Sequence, residues 1–222
     1  MMRTFEEIYA ITAERKGDVE AILSTMDAPK SKADLAAIAD DRWLACMTRC
    51  IFQAGFSWKV VENMWPGFEE AFEGFDVDRC LMFGGDDLDR LVSDKRIVRN
   101  GQKISAVLRN AAFISDLSDQ HGGAGRFFAE WPTEKYADLL LLMKKQGARL
   151  GGNTGQYFLR FMGVDSFILS RDVTARLIAE GVVDRTPASQ RDMAAVQEAF
   201  NQWCAQSGRS LTQVSRILAM SI

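Results

Sequence analysis

Three groups of residues have the types and spacing to do chemistry. The first is Leu150-Gly151-Gly152-Asn153-Thr154-Gly155. It is too glycine-rich for helix and sits between two apolar runs, so it reads as a hairpin whose backbone comes close to something. A glycine turn leading into a helix start presents free backbone N–H groups, which suit an anion such as a phosphate. The second is Asp172. Ser170 is a good N-cap, so Asp172 falls in the first turn of the helix that follows the hairpin unit. The third is Ala54-Gly55-Phe56-Ser57-Trp58. Gly55 turns the chain and Ser57 caps the next helix, so Trp58 stands at a helix start beside a turn, where an aromatic can face a ligand. Each group also has a plain structural explanation. Glycine turns join packed helices without any ligand, acids in first turns suit the helix dipole, and an isolated tryptophan is usually core. Asp165 competes with Asp172 if the register slips, and His121 beside Gly122 reads as a loop residue.

The elements that must position these groups read as helices throughout. Thr4-Phe5-Glu6-Glu7 is a capping box that opens a helix to about Glu14. Gly17 breaks it, and a second short helix runs to Met26. The next helix starts at Asp41, with Trp43, Leu44, Met47, Cys50, Ile51 and Ala54 on one stripe at helical spacing. Asn100 caps a helix from Gly101 to Ser118. Gly122-Gly123-Ala124-Gly125 reads as a loop. Ala137 to Lys145 is an apolar helix with lysines in its last turn, and Gly147 stops it. Pro187 to Ser207 and Ser210 to Met220 close the chain. No alternating strand pattern of useful length occurs, so the fold class is all-α.

The 222 residues suffice for one large domain or two lobes with a real core. No run approaches the roughly 18 apolar residues of a membrane helix, and the N-terminal stretch has acids where a signal peptide needs an apolar core. A cytoplasmic, monomeric protein is expected. The net charge of −3 counts against a protein that coats nucleic acid by bulk charge. Positive charge is nevertheless concentrated locally, in Lys95, Arg96, Arg99, Lys103 and Arg109, where phosphate contact is plausible. The four cysteines form no CxxC pair, and Cys46 with Cys50 supplies only two metal ligands.

The order of hairpin, then aspartate at a helix start, resembles the helix-hairpin-helix DNA glycosylase superfamily. There the hairpin grips the DNA backbone and the later aspartate faces an extruded nucleotide. Many members carry a hairpin lysine that attacks the sugar and cleaves the strand; this hairpin offers Asn153. The Ala54–Trp58 turn is similar to the Ala-Gly-Leu-Ser-Trp turn of 3-methyladenine DNA glycosylase I. Arg96-Ile97-Val98-Arg99-Asn100-Gly101-Gln102-Lys103-Ile104 is close to that family's Ile-Ile-Arg-Asn-Arg-x-Lys-Ile. The resemblance runs in order from about Trp43 to Val164. It departs at Cys50, where the family has a glutamate, and in the single histidine, which cannot complete the family's Cys/His zinc site.

The resemblance implies a monofunctional base-excision glycosylase acting on duplex DNA that holds a damaged, 3-methyladenine-like base. Cleaving the N-glycosidic bond builds positive charge on the deoxyribose, which a carboxylate stabilises, and the base must first leave the stack for an aromatic pocket. Asp172 takes the first role. Trp58, with Phe56, Cys50 and Gln53, takes the second. Leu150, Gly151, Gly152, Asn153, Thr154 and Gly155, with Arg99 and Lys103, hold the backbone. Residues 1–55 with 170–222 form one expected lobe and residues 56–169 the other, with the active site in the cleft. No cofactor and no structural metal are expected, save a monovalent cation at the hairpin carbonyls when DNA is bound. The alternative is a catalytically degenerate module that reads lesions without cleaving.

Overall fold

The computed structural model describes residues 2–222, and these are helical with no strand. In chain order the helices are α1 Phe5–Lys16, α2 Val19–Ser24, α3 Lys32–Ala36, α4 Asp40–Gln53, α5 Trp58–Asn63, α6 Trp65–Ala71, α7 Val77–Leu81 and α8 Gly85–Ser93. They continue as α9 Gly101–His121, α10 Ala124–Glu130, α11 Tyr136–Gln146, α12 Asn153–Met162, α13 Arg171–Ala179, α14 Gln190–Ser207 and α15 Leu211–Met220. No helix is long and apolar enough to cross a membrane among the described residues. Ser57 stands at the N-cap position of α5 but its side chain makes no cap bond; three other expected caps are formed. Thr4 and Glu7 make the reciprocal capping box of α1, Asn100 accepts from the Lys103 amide at the start of α9, and Ser170 accepts from the Val173 amide at the start of α13. Each satisfies amides that a helix start leaves without partners.

The chain divides into two compact units. Among the described residues, one comprises 2–30, 131–141 and 163–222; the other comprises 31–130 and 142–162. Residues 31–55, which the sequence reading groups with the terminal helices, therefore pack in the second unit. The reason is Trp43. Its ring is fully buried, stacks on Phe128 at 4.6 Å and meets Phe158 edge-on at 5.8 Å. Asp40 adds a polar tie by accepting from the Ala124 amide at 2.9 Å and from the Ser118 hydroxyl. Gly125 is helical rather than part of a loop. A Cβ there would stand 2.5 Å from the Leu35 carbonyl oxygen, so a side chain is excluded by the close approach of α3 to α10.

The first unit is built on α1, α13, α14 and α15. Phe167 stacks on Phe200 at 4.4 Å, and Tyr136 meets Phe167 edge-on. Glu180, at the C-terminal end of α13, is buried. It accepts from the Arg3 amide and guanidinium at 2.9 Å each and from the Arg176 guanidinium at 3.0 Å. Arg176 in turn donates to the hydroxyl and carbonyl of Ser221. Asp165 is occupied as a cap, accepting from the Leu211 and Thr212 amides at the start of α15. Of the two aspartates, Asp172 is the one that is exposed.

Candidate active site

The second unit builds its site on the C-terminal half of α4. Four polar residues, Arg42, Cys46, Arg49 and Gln53, recur at spacings of four, three and four along this helix. They form a second stripe beside the apolar one that faces the core. At the helix end the carbonyls of Phe52 and Ala54 would be left without partners. The Lys103 ammonium donates to both, at 3.1 and 2.8 Å, and stands over the Phe52 ring. Burial and the neighbouring Arg149 charge hold its pKa below the ordinary lysine value. The sequence reading puts Lys103 against the DNA backbone. In the structure its charge is turned inward onto the helix that carries the pocket. Of its basic neighbours, Arg96 is paired with Asp94 and Glu70, while Lys95, Arg99 and Arg109 are exposed.

Gly55, at φ +70°, turns the chain into α5, which begins at Trp58. Trp58 is 45% exposed, and its ring meets Tyr157 and Phe161 of α12 edge-on at 5.7 and 5.9 Å. It forms a wall shared by two cavities. One, of about 480 Å³, is lined by Arg42, Cys46, Arg49, Gln53, Trp65 and Phe161 among others. The other, of about 290 Å³, is lined by Cys50, Gln53, Gly55, Asn153, Thr154 and Tyr157. Trp58, Cys50 and Gln53 are thus brought together, next to the start of the hairpin helix. Phe56 stands apart: it is 48% exposed and lines neither cavity.

The charges around these cavities are specific. Cys50 is a buried thiol whose pKa is pushed far above the ordinary value, first by its hydrogen bond with the Cys46 thiol and further by burial. It is therefore neutral where the resembled family has a carboxylate. Arg49 lays its guanidinium over the Trp65 ring, 4.3 Å from the centroid, a favourable use of its planar cation. The Trp65 indole N–H donates to Glu69, which also accepts from Arg42, both at 2.9 Å. The Nε–H of Arg49 and the Oε1 of Gln53 are buried with no partner in the protein. Arg49 is one of the pocket residues that sequence reasoning passed over, with Arg42, Trp65, Tyr157 and Phe161. For Arg49 the available signal was its place four residues before Gln53 on the polar stripe.

The hairpin occupies a shorter stretch than its glycines suggest. α12 begins at Asn153, so Asn153, Thr154 and Gly155 are helical. The turn before it uses left-handed backbone at Arg149 (φ 60°) and Gly152 (φ 59°). Asn110 of α9 clamps the turn, donating to the Ala148 carbonyl at 3.1 Å and accepting from the Ala148 amide at 2.7 Å, both buried. Leu150 is buried, so only its backbone is available to a ligand. Gly155 is required by packing: a Cβ would stand 2.3 Å from the Leu150 carbonyl oxygen. Gly155→Ala is expected to cost about 1–3 kcal/mol of stability, the usual range for overpacking. Gly151→Ala should cost far less, because its Cβ would meet only the flexible Lys144 side chain, at 3.3 Å. Denaturant unfolding of the two variants checks this, and equal losses would remove the close approach as the reason for glycine at 155.

In the first unit, Asp172 lies in the first turn of α13 and is exposed, as its capped position implies. Among the described residues, no group of three His, Cys, Asp or Glu side chains is placed to hold a metal ion.

The methyladenine glycosylase family matches the chain over residues 36–157, more than half of it. An all-helical DNA-glycosylase fold is also what the solved structures give. One is a point mutant of 3-methyladenine DNA glycosylase I from Staphylococcus aureus, at 17% identity, with 81% of this chain and 98% of that one covered and a TM-score of 0.53. Another is 8-oxoguanine DNA glycosylase from Methanocaldococcus jannaschii, at 14% identity, with 96% and 91% covered and a TM-score of 0.53. None of the curated proteins matches the chain by sequence. The protein is therefore of the DNA glycosylase class that cleaves N-glycosyl bonds in base-excision repair. Within that class, the chain belongs to the methyladenine glycosylase family.

Proposed function

We propose that this protein is a monofunctional glycosylase that hydrolyses the bond between deoxyribose and a damaged base flipped out of duplex DNA. The observation that carries the reading is the hairpin clamped by Asn110, whose helix opens on Asn153 beside the Trp58 cavity. A helix start with free amides suits a phosphate, and the adjoining aromatic walls suit an extruded base. Arg99 and Arg149, both exposed, add positive charge on the same unit. Asp172 supplies the carboxylate that stabilises the developing sugar cation. Asn153 has no amine to attack the sugar, so water completes the reaction and the strand stays intact. A monomer in the cytoplasm, with no cofactor beyond a monovalent cation at the hairpin carbonyls in the DNA complex, belongs to the same reading.

The experiment is a panel of duplex oligonucleotides, each with one alkylated, deaminated or oxidised base, scored for abasic product before and after alkali. Abasic product that is cut only after alkali is expected. Borohydride should trap no covalent enzyme–DNA adduct, and a trapped adduct would overturn the monofunctional assignment. A protein that binds the lesion duplexes with steep salt dependence but releases no base would be a lesion reader instead.

A further inference from the structure

Helix α12 carries more aromatic surface than its packing uses. Phe158, Leu159 and Met162 are buried in the second unit. Tyr157 and Phe161, four residues apart and so on one edge of the helix, are not. Tyr157 is half-buried and Phe161 is 46% exposed. Their rings lie side by side at 5.8 Å, tilted by 33°, and stand nearly perpendicular to Trp58, at 89° and 84°. The three rings make a corner, with Trp58 as one wall and the Tyr157–Phe161 pair as the other. Trp65, the remaining aromatic of the larger cavity, already has its stacking partners. The Arg49 guanidinium lies over it, and Phe68 and Phe75 stack on it at 5.4 Å each. That leaves Trp58 and Phe161, both close to half exposed, as the rings free to stack on a flat ligand in that cavity. Exposed apolar surface gathered at a cavity points to binding in a way that singly scattered residues do not.

We infer that Phe161 is a base-stacking residue of this site and forms with Trp58 the corner that receives the extruded base. The inference rests on the glycosylase reading above and adds to it a residue of the hairpin helix. A purine is flat and offers such a corner both a face and an edge. Lying on one wall, it sets its edge against the other, the two contacts that aromatic rings prefer with each other. Every base has a π-face, so this grip tolerates many bases; a cationic base gains a further attraction to the ring faces. The placement on α12 has a second consequence. The helix opens on Asn153, where its free amides suit a phosphate. Phe161 follows eight residues later, about 12 Å along the axis at the rise of an α-helix. One rigid element thus carries both the backbone contact and a wall of the base pocket, and fixes the distance between them.

Free 3-methyladenine is the probe, titrated into the protein by calorimetry, with single-turnover release of the same base from a duplex measured in parallel. Phe161→Ala is expected to weaken binding of the free base by about tenfold, the scale of one lost stacking contact, and to slow its release. Affinity for an undamaged duplex, and the salt slope of that affinity, should not change, since both belong to the phosphates. Phe161→Tyr and Phe161→Leu separate stacking from bulk. Tyr keeps the π-face and should retain binding, whereas Leu keeps only apolar volume and should behave as Ala does. The side chain is nearly half exposed, so the three variants should fold. Full binding of the free base by Phe161→Ala, or rescue by Leu as complete as by Tyr, would overturn this inference and leave the glycosylase reading standing. A wild type that releases a base from DNA yet has no affinity for free 3-methyladenine would do the same. Release of no base from any duplex would overturn that reading and this inference with it.

Discussion

Asp172→Asn is expected to reduce base release by about 10² or more, the scale seen when a preorganised contact to the transition state is lost. The substitution keeps the size of the side chain and removes its charge. Asp172 is exposed in the first turn of α13, and the cap of that helix is made by Ser170, so folding should be nearly unaffected. DNA affinity should also hold, because phosphate contacts supply most of it. The loss belongs in the chemical step and is read in single-turnover release with enzyme in excess. It should be larger for a neutral base than for a cationic one, since a cationic base departs easily and needs the sugar charge stabilised less. A small effect on a neutral lesion that the wild type does cleave would remove Asp172 from its role. The salt dependence of binding gives a control that separates the two explanations of a weak variant. An unchanged slope with reduced release means lost catalysis, whereas a shallower slope means lost phosphate contacts.

Helix starts were legible because capping is local chemistry. Thr4, Asn100, Ser170 and Ser210 each cap the helix that their sequence context announces. The hairpin and the turn before Trp58 were legible for the same reason: glycine at positive φ is a property of a few neighbouring residues. Gly125 and Gly155 were not, because both lie inside helices, and what demands glycine there is the close approach of a carbonyl from outside the helix. The grouping of residues 31–55 failed for a related reason. The apolar stripe of α4 shows that the helix is buried on one side but not under what, and the stacking of Trp43 on Phe128 decides it. Lys103 and Arg49 show the limit for charges. A basic residue in a basic run, or beside an apolar stripe, has the pattern of a solvated face. That Lys103 caps the end of α4, and that Arg49 lies over Trp65 with a buried donor, follows only from packing.

Glu180→Gln is expected to cost about 3–5 kcal/mol at neutral pH, the usual result of removing one partner from a buried ion pair. Glu180 ends the helix that Asp172 begins, and its side chain is fully buried. It compensates the charge of Arg176, whose side chain is 7% exposed, and it takes two hydrogen bonds from Arg3, which tie the start of the chain to α13. Gln preserves the shape but leaves the Arg176 cation without its counter-charge, and the Ser221 oxygens that Arg176 also contacts are neutral. The exposed Arg3 ion pair adds little by itself, because solvent screens it. The pH dependence has a definite sign. Burial alone would raise the Glu180 pKa, but the Arg3 amide and the Arg176 and Arg3 guanidiniums outweigh it and hold the carboxyl below its ordinary value. A carboxyl whose folded pKa is depressed binds fewer protons in the folded state than in the unfolded one. Its stabilisation is therefore fully present above the unfolded value of about 4.3 and is lost as pH falls through the folded value. The stability gap between wild type and Glu180→Gln should accordingly be widest near neutrality and close in acid, where the protonated side chain resembles glutamine. Denaturant unfolding of both proteins at steps from pH 7 downward measures the gap. A gap that stays constant into acid would show that the loss comes from altered packing, not from the missing charge.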